Sequence, residues 1–190
     1  PGDGPGGTEA FIKKCRQFAD PVILDTKNYL VKKSPCQKTG VSTATGGQQI
    51  RAMLFADVVG FSKLDEPQIP SFVEHFMGAI AGVLPKGRQA PLYLNTWGDA
   101  IYCVFRYVKD AGAFALALRD EVQSAVWQKY GLPAGLSIRI GLHAGPVVEC
   151  HDPVLKKQTY NGFNVNRAAR IEPITEEGQG FVSQAFAALA

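Results

Sequence analysis

From residue 50 onward the apolar positions follow two periods. Ala52, Met53, Leu54 and Phe55 make a continuous apolar run, which predicts a buried strand over 51–57 ending on one acidic residue, Asp57. Phe72, Phe76, Ile80 and Leu84 recur at four-residue steps and predict a helix over 68–84, stopped by Pro85. Residues 91–97 and 100–107 are two more apolar stretches, joined at Gly98-Asp99 in what reads as a tight hairpin. Phe114, Leu118, Val122 and Val126 line one face of a long helix predicted from about Asp110 to Tyr130, which Gly131 and Pro133 end. In "LSIRIGLHAG" Leu136, Ile138, Ile140 and Leu142 alternate, the pattern of a half-buried strand. "GFNVNRAARIE" has helical spacing, and "GQGFVS" reads as a turn, a short strand and a helix cap at Ser183.

This order, β-α-β-β-α-β followed by a helix and a strand, is that of an α+β sandwich of ferredoxin-like type. Residues 1–49 read differently. A Gly/Pro-rich start is followed by a short helix that Thr8 caps, through about Phe18, and by a small, polar linker over 34–48. They are taken as an extension and linker, the tail of an upstream region, with one domain over 50–190. "GDGPGGT" opens a helix as phosphate-cradling loops do, but no complete strand precedes it, and the tail reading is preferred.

Composition narrows the function classes. Hydrophobic residues make up 46% and charged residues 19%, as in an ordinary globular domain. A net charge of +3, with the basic residues scattered, argues against a nucleic-acid partner. Cys15, Cys36, Cys103 and Cys150 form no C-x-x-C pair and the three histidines are scattered. Reduced structural thiols are expected rather than a zinc site. No apolar run approaches the roughly 18 residues of a membrane span, and the stretch "PGDGPGGTEAF" lacks the charged start and apolar run of a signal peptide. The expectation is a cytoplasmic protein with no membrane segment in this stretch.

Two carboxylates carry the candidate chemistry. An acid at the end of a buried strand is costly unless something pairs with it. Asp57 reads either as a turn residue satisfied by backbone N–H groups or as a metal ligand. Asp99 sits at the hairpin tip, and in a split βαβ sheet the hairpin neighbours the first strand, so both carboxylates can meet at one sheet edge. There they repel unless a cation lies between them. After Asp57, the segment Val59-Gly60-Phe61-Ser62 can turn backbone N–H groups toward phosphates. Asn166 and Arg170, four apart, share a helix face. An Arg can hold phosphoryl charge bidentately and an Asn a sugar oxygen, although each alone is equally an ordinary surface residue.

The stretches "LFADVVGFSKL", "NTWGDAIYCVF", "IRIGLHAGPVV" and "YNGFNVNRAARIE" then "GQGFVS" occur in one order. Together they resemble the class III adenylate/guanylate cyclase catalytic domain, of bacterial type, over roughly residues 50–190. The resemblance implies the ferredoxin-like cyclase fold, a βααββαβ core with an antiparallel sheet flanked by helices. It implies formation of a 3′,5′-cyclic nucleotide and pyrophosphate from a nucleoside triphosphate in a head-to-tail homodimer with shared active sites. Asp57 and Asp99, with the Val58 carbonyl, would hold two Mg²⁺ or Mn²⁺ ions. Asn166 would orient the ribose and Arg170 would stabilise the transferring phosphate, both from the other subunit.

Adenine-selective members of that family usually carry Lys four residues before the second metal Asp. They carry Asp, or Thr/Ser in one bacterial subgroup, eleven residues before the Arg. Here these positions hold Asn95 and Thr159. Asn95 both donates and accepts and suits either base. Thr159 favours adenine, so ATP is expected ahead of GTP, and Asn95→Lys is expected to sharpen that preference. Many members continue into a further hairpin that this chain, ending in the helix after Ser183, would lack. The alternatives are a guanylate cyclase, or a catalytically weak module that binds nucleotide or dimerises.

Overall fold

Strand β1 (Gln49–Val59) is the centre of the sheet, and its two faces are buried by different partners. The structure, a computed structural model, describes residues 47–190. The helix expected after Thr8, the glycine-rich start, almost all of the linker, Cys15 and Cys36 lie outside the described residues. After β1 comes a composite helix α1. It is built of an α-helical turn Ile69–Ser71, a π-helical segment Phe72–Met77 and an α-helical end Gly78–Val83. Then follow β2 (Tyr93–Trp97), β3 (Ala100–Phe105), helix α2 (Val108–Ser124) and the long strand β4 (Ser137–Asp152). Strand β5 (Lys157–Asn161), helix α3 (Phe163–Ala169), strand β6 (Gly180–Val182) and helix α4 (Gln184–Ala187) complete the domain.

The strands run in the order β2-β3-β1-β4-β5, and β6 joins β4. All pairings are antiparallel except the parallel β4–β6 ladder. The first four strands therefore have the order 4-1-3-2 of a split βαβ sheet, as expected for a ferredoxin-like core. Ala52, Leu54, Ala56 and Val58 of β1 face α1 and α2, packing with Phe72, Phe76, Leu118 and Val122. Met53 and Phe55 face the other way and pack with Tyr102, Val104, Val147 and Ala168, beneath α3.

Three elements differ from the sequence expectation. Helix α2 stops at Ser124, because Ala125 is extended. Val126, expected on the inner face, is 49% exposed, and Trp127 takes the buried place at 2%. Trp127 packs 4.6 Å from Phe76, and its indole N–H donates to the Val122 carbonyl. The turn Trp127–Tyr130 is tied to α1, with Ser71 Oγ donating to Tyr130 O and Gln68 Nε2 to Gly131 O. An indole in that niche excludes more water than continued helix would have placed there, and the break follows.

Strand β4 is not half-buried but covered on both faces from Ile140 to Gly145. Two glycines allow it. A Cβ on Gly141 would stand 2.5 Å from the Glu172 backbone nitrogen, and one on Gly145 would stand 2.6 Å from the Asn164 side chain. Helix α3 and the turn after it can therefore lie directly on the strand. Strand β5 had no sequence signal of its own; it pairs with the far half of β4, where Cys150 faces Thr159.

Candidate active site

Asp57 and Asp99 come together as the hairpin geometry requires. The β1–β3 ladder ends at the pair Asp57↔Ala100, so Asp99, in the turn after Gly98 (φ 70°), stands beside the end of β1. Burial lifts the Asp99 carboxyl above the ordinary carboxylate range. Its own backbone pulls it part of the way back, and the charge of Asp57 adds to the lift. The ladder stops one residue short of Val58. Gly60, at φ 92°, then turns the chain into the short 3₁₀ segment Phe61–Lys63, a backbone conformation that side chains with a Cβ rarely adopt.

Asp57 is not alone. Its cross-strand partner on β4 is Arg139, whose Nη2 donates to Asp57 Oδ2 at 2.8 Å. Both side chains are 29% exposed. Arg139 Nε also stands 2.9 Å from Glu172 Oε1. That approach is close enough for an ion pair but off the line of a hydrogen bond, and both atoms are buried without a hydrogen-bond partner. Burial lifts the Glu172 carboxyl above its usual range, Arg139 opposes the lift, and Asp57 and Asp99 reinforce it. The end of the sheet thus holds two carboxylates on one guanidinium, with Asp99 in the turn beside them.

Asn166 lies in α3 and Arg170 is its C-cap. Both are exposed, and neither side chain makes a hydrogen bond or ion pair among the described residues. The start of this helix is pinned by buried His143. Asn164 Nδ2 donates to Pro146 O, which leaves Asn164 Oδ1 to accept from His143 Nε2 at 2.9 Å. Ser183 Oγ, the cap of α4, meets His143 Nδ1 at 2.7 Å. The two positions expected to select the base lie on different strands. Thr159 is buried on β5, whereas Asn95 on β2 accepts a hydrogen bond from Lys157 Nζ at 3.2 Å.

A family model described as the Adenylate and Guanylate cyclase catalytic domain matches residues 46–189. The chain belongs to that family. It is 29% identical to an adenylate cyclase of Schizosaccharomyces pombe over 106 residues, 47% of this chain and 6% of that protein. It is 31% identical to one of Mycosarcoma maydis over 108 residues, 48% of this chain and 4% of that protein. The chain therefore spans only a few per cent of the length of these relatives. In fold it is similar to the monomeric guanylyl cyclase domain of the RhoGC fusion protein from Blastocladiella emersonii. There the TM-score is 0.63 at 22% identity, covering 75% of this chain and 85% of that one. It is similar also to the adenylyl cyclase CyaB from P. aeruginosa, with TM-score 0.63 at 20% identity, covering 75% and 81%. The matches come from fungi and bacteria alike and do not single out a bacterial type.

Within this cyclase domain, sequence reasoning missed Arg139, Glu172, His143 and Lys157. Arg139 had a usable signal. It falls between Ile138 and Ile140, so it must face away from the apolar set, on the side that Asp57 takes. Glu172 and Lys157 had none, since each is placed by a loop or strand without periodicity. Among the described residues Cys103 and Cys150 are unpaired with one another, and burial pushes the Cys103 thiol up to about 12. Among the described residues, no helix is long and apolar enough to cross a membrane.

Proposed function

We propose that this cyclase domain converts ATP to 3′,5′-cyclic AMP and pyrophosphate in a head-to-tail homodimer. The observation that carries the reading is the meeting of Asp57 and Asp99 at one strand end, beside a glycine turn. The donors there suit hard divalent cations such as Mg²⁺ or Mn²⁺. They are carboxylate oxygens with the Val58 carbonyl next in the chain, and the Asp99 carboxyl is lifted by burial and by its neighbour Asp57. Asp57, Asp99 and the Val58 carbonyl would hold the ions. Two such ions supply acidification of the ribose 3′-hydroxyl and neutralisation of triphosphate charge.

The chain's own residues do the positioning. Backbone N–H groups of Val59, Gly60, Phe61 and Ser62 face the triphosphate. Asn166 of a second copy orients the ribose, and Arg170 of that copy meets the charge that builds on the α-phosphate. The ribose 3′-hydroxyl gives up its proton to solvent as its oxygen bonds to the α-phosphorus, the bond to the β-phosphate bridging oxygen breaks, and pyrophosphate leaves. Catalysis is then mostly orientation and electrostatic stabilisation. Exposure of Asn166 and Arg170 supports sharing across a dimer. Thr159 and the similarity to fungal adenylate cyclases support adenine.

Product analysis by mass spectrometry, with ATP, GTP and Mn²⁺, tests the reading. Cyclic AMP as the main product is expected. Cyclic GMP as the main product would make this a guanylate cyclase, and neither product from a demonstrated dimer would leave a nucleotide-binding or dimerisation module.

A further inference from the structure

Strand β5 returns the chain to β2 and lays one cation across two of its residues. Lys157 Nζ donates to Asn95 Oδ1 at 3.2 Å and stands 5.5 Å from the centroid of the Tyr93 ring. Tyr93 and Asn95 are two apart on one strand and share a side, so the ammonium is held at two points, by an oxygen and by a ring face. We infer that Lys157, rather than Asn95, carries the charged contact that selects the nucleotide base. This rests on the cyclase reading and deepens its base-selecting site.

The donor and acceptor inventory drives the argument. An ammonium has three N–H donors and accepts nothing. One donor is used on Asn95, which leaves two. The same bond occupies the Asn95 oxygen and leaves its NH₂ free. Asn95 Oδ1 keeps one lone pair, but its NH₂ and the two remaining ammonium N–H groups set four donors against it, so this corner of the site presents mainly donors. A base entering there must bring an acceptor. Thr159 lies two residues beyond Lys157 on β5, on the same side of that strand, and its hydroxyl can accept as well as donate. A donor beside an acceptor matches adenine, whose ring N1 accepts and whose 6-amino group donates. Guanine in the same pose opposes its N1–H to the ammonium and its O6 to the position where an amino group is wanted. The wrong base leaves polar groups unpaired, which is where discrimination comes from. A lysine placed at position 95 would bring a second ammonium against Lys157, so Asn95→Lys should weaken selectivity for ATP rather than sharpen it.

The test uses the whole 190-residue chain, as wild type, Lys157→Met, Lys157→Arg and Asn95→Lys. Lys157→Met keeps the aliphatic stem and removes the charge. Two readouts run together: kcat/KM for ATP and for GTP with Mn²⁺, and affinity for 3′-deoxy-ATP and 3′-deoxy-GTP, which bind but have no hydroxyl with which to cyclise. Lys157→Met should lower the ATP-to-GTP ratio about tenfold or more, through the ATP value, as expected for loss of one charged hydrogen bond. Lys157→Arg should retain more of the ratio than Lys157→Met, and Asn95→Lys should lower it. A ratio unchanged in Lys157→Met, with cyclic nucleotide still formed, would overturn the inference and leave the cyclase reading standing. If wild type neither cyclises nor binds either 3′-deoxy nucleotide, the cyclase reading fails and the inference falls with it.

Discussion

The acidic end of the sheet and the outer side of α3 carry equally charged chemistry but are built on opposite rules. At the sheet end, Asp57 and Glu172 face Arg139, part-buried and partnered within the chain, and Asp99 stands in the turn beside them. On α3, Asn166 and Arg170 stand in the open, without a side-chain partner among the described residues. A partly buried carboxylate has to be compensated before the domain can fold. An exposed guanidinium is served by water and stays available to whatever arrives. In the proposed shared site, the contrast separates a half that the chain must stabilise for itself from one left open to a ligand or another copy.

Removing either half should cost the most. Asp99→Ala and Arg170→Ala are each expected to lower kcat by about a hundred- to a thousandfold or more, with unchanged circular dichroism. Near-normal activity in either would break the two-part site. The stability consequences should differ between the halves. Arg139→Gln strands the Asp57 and Glu172 carboxylates and should cost about 1–3 kcal/mol at neutral pH, whereas Arg170→Ala should be close to neutral.

The sign of the pH dependence follows from Glu172 and Asp99, whose carboxyls are raised in the folded state. Their contribution to stability is complete below the ordinary carboxylate range and is lost as pH rises through the raised values. Arg139 is the group that holds Glu172 down, so its removal widens the loss. Melting curves should show Arg139→Gln recovering toward wild type between neutral pH and about pH 5. A pH-independent deficit would mean that Arg139 acts through packing alone. The smallest effect is expected for Asp99→Asn without divalent cation. It relieves repulsion with Asp57 and should raise Tm by about 1–2 °C even as it abolishes turnover, and a fall in Tm would show that the Asp99 charge stabilises the empty site.

The core was legible where one face of an element decides its burial. Phe72, Phe76 and Ile80, or Ile138 and Ile140, announce themselves by period alone. Legibility failed where a second layer intervenes. Gly141 and Gly145 look like weak points in a strand, yet their missing Cβ atoms admit the Glu172 turn and Asn164. Val126 continues a helical stripe that the chain abandons, because Trp127 fills the niche against Phe76 better. In the site, Asp57 and Asp99 could be read from strand ends and a hairpin. Arg139 depended on cross-strand register, and Lys157 on a strand without pattern. Pairings set by register and by loops are absent from any local window of sequence.

The claim that the two half-sites work together only across two copies is tested most directly by complementation. Asp57→Ala and Arg170→Ala chains, each inactive alone, are mixed under conditions where native mass spectrometry shows the heterodimer. In that heterodimer one of the two sites has lost both groups and the other has lost neither. With random pairing of equal amounts, cyclase activity should return to about a quarter of the wild-type level, as two-fold symmetry requires. Heterodimers that form and stay inactive would contradict the shared site.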